Sequence, residues 1–81
     1  MVQEHKQVFY KKVHIKGMYG GERDVFIFKN YSRISGGKWG LDFLSAYKSR
    51  RGEDFIVESG AGISQEKMEK QIMNYLEKWV D

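Results

Sequence analysis

Basic and aromatic side chains alternate along two stretches of this chain, and they are the residues best suited to doing chemistry. Tyr10, Lys12, His14 and Lys16 occupy every second position, as do Lys29, Tyr31 and Arg33. Alternate residues of a strand share one face. Ammonium and guanidinium groups neutralise phosphates, and flat phenol rings stack on bases, so the mixture suits a single-stranded nucleic acid. Arg50 and Arg51 lie at a turn and add two further phosphate contacts. The bland alternative is that the lysines solubilise exposed strands and the tyrosines merely stabilise them. Catalytic chemistry has less support. His5 and His14 have no neighbouring partner that would make a triad, and no His/Asp/Glu spacing matches a metal site. Glu4-His5-Lys6 has the E-x-K pattern of some nucleases, but that pattern is common and lies at the start of the chain. With no cysteine there is neither a disulfide nor a thiolate site. The expectation is a non-enzymatic protein without a cofactor.

The elements that would position these residues are punctuated by glycine. Gly20-Gly21 and Gly36-Gly37 favour tight hairpin turns, and Arg50-Arg51-Gly52 reads as a three-residue loop with a left-handed glycine. These turns predict strands from Gln7 to about Met18, Arg23 to Ser35, Lys38 to Ser49 and Asp54 to Ser59. Ser59-Gly60-Ala61-Gly62 ends the sheet. Ser64 is then a good N-cap, and Ile63 can staple to Met68. A helix follows from Gln65 to about Val80, with Met68, Ile72, Tyr75, Leu76 and Trp79 in one apolar stripe. The fold class is therefore α+β: a single domain over residues 1–81, with a four-stranded antiparallel β-meander at 7–59 and a C-terminal helix at 64–80 (ββββα).

The two-residue turns set Ile15 opposite Phe26, Val13 opposite Phe28, Phe26 opposite Tyr47 and Ile34 opposite Trp39, and the three-residue loop sets Tyr47 opposite Phe55. One face then collects Phe9, Val13, Ile15, Phe26, Phe28, Ile34, Trp39, Leu41, Phe43, Tyr47, Phe55 and Val57, and the helix is expected to cover it. The open face pairs Lys12 with Lys29 and Tyr10 with Tyr31. Like charges directly opposite repel unless an anion lies between them. The same open face carries Val25, Ile27, Leu44 and Ile56, an aliphatic strip suited to a protein partner or to a homodimer. An inhibitor or interaction module of phage or mobile-element type is the competing reading.

The charge balance agrees with an anionic partner. A net charge of +3 divides into +7 over residues 1–52 and −4 over residues 53–81, a basic sheet against an acidic helix. No apolar run is long enough for a membrane span or a signal-peptide core, and the cytoplasm is the expected location. The G-x-G-x-S pattern within residues 59–64 resembles the lead-in to the last helix of double-stranded-RNA-binding domains. Gln65 and Glu66 stand where that family carries lysines, and its first helix has no counterpart, so its function is not carried over. The ββββα order also resembles coactivator-type single-strand-binding domains, which dimerise and grip DNA on their sheets. It is similar as well to the sheet-in-groove DNA-binding domains of some integrases, which have three strands and a final helix.

Overall fold

The computed structural model describes residues 2–17 and 20–79; the expected strand end at Met18 and helix end at Val80 lie outside them. Four antiparallel strands form one open sheet in sequence order: β1 (Gln3–Lys16), β2 (Glu22–Ile34), β3 (Gly40–Tyr47) and β4 (Phe55–Glu58). Helix α1 (Gln65–Lys78) packs on one face, which completes the expected ββββα order. Ser64 caps the helix by accepting a hydrogen bond from the Lys67 backbone N–H at 3.3 Å. Ile63 packs against the same core as Met68, as a staple requires. No helix among the described residues is long and apolar enough to cross a membrane.

The first hairpin differs from expectation, and the difference reverses the sheet. Val13 pairs with Val25, His14 with Asp24 and Ile15 with Arg23. The loop is not a two-residue Gly20-Gly21 turn. β1 ends at Lys16 and β2 begins at Glu22, and the Gly17 N–H donates to the Gly21 carbonyl at 2.6 Å. Val13 therefore meets Val25 instead of Phe28, an odd offset, so Val13 and Ile15 keep the helix face expected of them while the β2 residues paired with β1 change face. A bulge between Phe9 and Lys11 then shifts the alternation within β1, so that Phe9 pairs with Phe28 and lies with it on the face away from the helix.

The helix consequently covers the aliphatic face. Val25, Ile27, Leu44 and Ala46 are buried beneath Met68, Ile72 and Leu76, with Ile15 beside them. Ala46 gives the helix room to approach, and the branched neighbours supply a flat floor. The strip expected to stay open for a partner is thus the core: Val25, Ile27 and Leu44 are fully buried and Ile56 packs against them. Of the residues expected in one core, Val13, Ile15, Leu41, Val57, Met68, Ile72, Leu76 and Trp79 belong to it or flank it. Phe26, Phe28 and Phe43 lie on the other face, because they pair with Lys12, Phe9 and Asn30. Tyr75, expected in the buried stripe, is 46% exposed.

The later hairpins keep their central pairings. Phe26 meets Tyr47, and Tyr47 meets Phe55. At the second turn Ser35 and Gly36 take positive φ (46° and 76°), and the Gly37 N–H bonds the Ile34 carbonyl. The turn is thus centred one residue earlier than Gly36-Gly37. A slip between Asn30 and Tyr31 follows, which leaves Asp42 without a cross-strand partner and Trp39 outside the ladder rather than opposite Ile34. At the third turn Gly52 is left-handed as expected, with φ 79°, in a loop closed by the Lys48 N–H on the Asp54 carbonyl.

Candidate nucleic-acid interface

A helix of fourteen residues is about 21 Å long, whereas a fourteen-residue strand extends about 47 Å. Helix α1 therefore shields less than half of β1. Its contacts run from Trp79, where the Arg23 and Lys48 cations face the indole, to Tyr10. There Tyr10 donates to Glu69 at 2.9 Å and accepts from Gln65 at 3.4 Å. Beyond Tyr10 the sheet continues on the helix side without the helix, and basic and aromatic residues gather on that extension.

The pairings place these residues together. Val8 with Lys29, Lys6 with Tyr31 and Glu4 with Arg33 share the face on which Lys29 adjoins buried Leu44. Lys29 Nζ lies 4.3 Å from the centre of the Tyr10 ring, and Lys11 Nζ lies 5.2 Å from it. Lys6 Nζ is 4.4 Å from the Trp39 ring and 5.6 Å from Tyr31, while the Arg33 guanidinium is 4.4 Å from Trp39. The bulge in β1 is what brings Tyr10 and Lys11 to this side together. A shallow groove of about 280 Å³ opens at the register slip, lined by Lys6, Tyr31 and Asp42 and, from the opposite face, by His5, Gln7, Asn30 and Phe43.

Electrostatically the extension is cationic, with four basic groups held close to three rings and two carboxylates among them. Glu4 pairs with Arg33, and Glu69 pairs with Lys11 at 3.1 Å. Partial burial pushes the Glu69 carboxyl up, but the Tyr10 hydroxyl and Lys11 ammonium outweigh it and hold it below the ordinary glutamate value. Lys6 and Lys29 stand over ring faces, and the Lys29 charge also reaches the Glu69 carboxylate.

The nine sequence-predicted residues fall on two sides of the sheet. Tyr10, Lys29, Tyr31 and Arg33 lie on the cationic extension. Lys12, His14 and Lys16 lie on the opposite face, because Lys12 pairs with Phe26 and Lys29 with Val8. The expected Lys12–Lys29 opposition does not exist. The three residues meet acids instead: Lys12 lies 4.0 Å from Asp24, Lys16 lies 3.9 Å from Glu22, and His14 Nδ1 is 2.9 Å from Asp24 Oδ1. The Asp24 hydrogen bond raises the His14 pKa above 6.5, against a smaller opposing desolvation, with Glu22 adding to the rise. Arg50 stands over the Phe9 ring at 5.0 Å on that face, and Arg51 is exposed at the loop tip.

Lys6, Lys11 and Trp39 complete the cluster and were not among the sequence-predicted binding residues. Lys6 was legible in principle, since Glu4, Lys6 and Val8 alternate opposite Arg33, Tyr31 and Lys29. Lys11 was not, because only the bulge brings it beside Tyr10. Trp39 is expected on the core face from a pairing with Ile34, and its place outside the ladder removes that pairing. Among the described residues no three His, Asp or Glu side chains converge to hold a metal ion. No protein-family model, curated protein or solved structure matches the chain.

Proposed function

We propose that the protein is a non-enzymatic single-stranded nucleic-acid-binding domain, whose strand lies along the helix-side extension of β1 and β2. The observation that carries this reading is the pairing of cations with half-buried aromatic rings: Lys6 and Arg33 on Trp39, Lys6 on Tyr31, and Lys29 on Tyr10. An exposed cation–π contact contributes about 0.5–1 kcal/mol, whereas a base stacked on an aromatic ring contributes about 1–3 kcal/mol. Each cation can swing from its ring to a phosphate while a base takes the ring, so both exchanges favour the bound state. Lys29, Tyr31 and Arg33 follow one another at about 6.8 Å along β2, a spacing suited to an extended strand.

Fluorescence anisotropy with single- and double-stranded oligonucleotides at two salt concentrations tests the reading. Binding of a single strand that weakens with Trp39→Ala and Lys6→Ala, but not with Lys12→Ala on the opposite face, is the expected result. No binding to any oligonucleotide at low salt would remove the proposal.

A further inference from the structure

The sheet face opposite the helix carries an aromatic ladder that crosses all four strands. Phe9 meets Phe28 at 5.6 Å between ring centres, Phe28 meets Tyr47 at 5.3 Å, and Tyr47 meets Phe55 at 5.7 Å. All three contacts are edge-to-face. Phe55 is 56% exposed, Phe9 and Tyr47 are half-buried, and Phe28 at the centre is buried, with the turn at Gly52 beside its ring and Arg50 over Phe9, so the ladder presents Phe55 and the outer parts of Phe9 and Tyr47. We infer that this face is the interface of a homodimer, in which the aromatic ladder of one chain packs on that of a second copy.

Three observations favour a second copy over other occupants. The first is charge. Cations Lys12, Lys16 and Arg50 share the face with Glu22, Asp24 and Glu58, so it is balanced and does not repel itself. A polyanion gains little from such a surface, in contrast to the extension on the other side. The second is hydrogen bonding. Gln7 donates to Asn30, Ser45 and Tyr47 at 3.0, 3.3 and 3.0 Å, and Asn30 donates to Ser45 and the Phe43 carbonyl at 2.9 and 3.2 Å. The polar groups of the face are thus engaged with one another, and the surface offers ring edges rather than donors for base edges. The third is size. The molecule measures 49 × 24 Å in the two long dimensions, more than the roughly 800 Å² per partner that a standard interface takes. An isologous two-fold contact would bury the ladder against itself at the usual sheet-to-sheet spacing of about 10 Å. It would leave both cationic extensions facing outward.

Sedimentation velocity over about 1–200 µM, with circular dichroism to verify folding, tests the inference. The expected result is a dimer whose dissociation constant rises about tenfold or more with Phe55→Lys, while single-strand affinity per chain is retained. NMR of the wild-type chain gives a readout that needs no variant. On dilution the Phe9 and Phe55 ring signals should shift, and those of Met68 and Ile72 should not. A wild-type chain that stays monomeric throughout the range overturns the inference. So does a dimer that survives both Phe55→Lys and Phe9→Lys, because its contact then lies elsewhere, the free β1 edge included. An oligonucleotide that shifts the Phe55 signal and leaves Trp39 unmoved would give the ladder to bases and also overturn it. Failure of oligonucleotide binding alone leaves the dimer standing, since that arm reads the other face.

Discussion

Trp39 carries two cations on its ring, Lys6 and Arg33, and the two contacts predict different losses on substitution. Trp39→Ala removes a stacking surface and should weaken single-strand binding by about 1–3 kcal/mol with little change in salt dependence. Lys6→Ala removes one phosphate contact and should flatten the log–log salt slope by about 0.7. Anisotropy titrations of both variants across salt distinguish the roles, and equal slopes for Lys6→Ala and wild type would deny the lysine a phosphate. On the opposite face, His14 gives a pH prediction. Its pKa is raised in the folded protein by Asp24, so the stabilisation it contributes is fully present below the unfolded value near 6.5. That contribution is lost as the pH rises through the folded pKa. An NMR titration should place His14 above 6.5, and Asp24→Asn should lower it. An unchanged His14 in that variant would show that the contact at 2.9 Å is not the cause. The alternation of Lys29, Tyr31 and Arg33 was visible in the sequence, because three residues within one strand need only the period of two. Their association with Lys6 and Tyr10, rather than with Lys12 and His14, depended on cross-strand register and on a bulge that no residue type announces.

The helix and its floor are the structural unit on which everything else is mounted. Ile72 is fully buried in one cluster with Val25, Ile27 and Leu44 of the sheet and Met68 and Leu76 of its own helix. Ile72→Ala should cost about 2–5 kcal/mol by urea unfolding. That is a large part of the roughly 4–12 kcal/mol expected for a domain of 81 residues. A cost below about 1 kcal/mol would mean that the helix is not held by this floor. The element order, the Ser64 cap, the Ile63 staple and the Met68–Ile72–Leu76 stripe were all legible, since each is set by residues within a few positions of one another. The face that receives the stripe was not. Apolar residues occupy both faces of β2, with Val25 and Ile27 on one and Phe26 and Phe28 on the other, so hydrophobicity could not choose between them. The choice fell to the register of the first hairpin, whose strands end at Lys16 and resume at Glu22 instead of flanking Gly20-Gly21 directly. The second and third hairpins kept their central pairings because their glycines do mark the turns, at Gly36 and Gly52.

A slab of 49 × 24 × 15 Å with one short helix leaves two broad surfaces uncovered, and they differ in character. One is the cationic extension, with Lys6, Lys11, Lys29 and Arg33 around three rings. The other is the balanced aromatic face. Salt should separate them. If the extension neutralises three or four phosphates of a single strand, affinity falls with a log–log slope of about −2 to −3, at roughly −0.7 per contact. Between about 50 and 500 mM salt that is a loss of roughly 100- to 1,000-fold. Association through ring edges has no counterions to release, and burial of apolar surface is maintained or strengthened as salt rises. The same preparation examined by anisotropy and by sedimentation at both salt concentrations should lose the oligonucleotide and keep the dimer. Loss of both together would tie dimerisation to charge and move the second copy onto the basic surface. Oligonucleotide binding that is indifferent to salt would remove the cations from the interface and leave stacking alone to explain it.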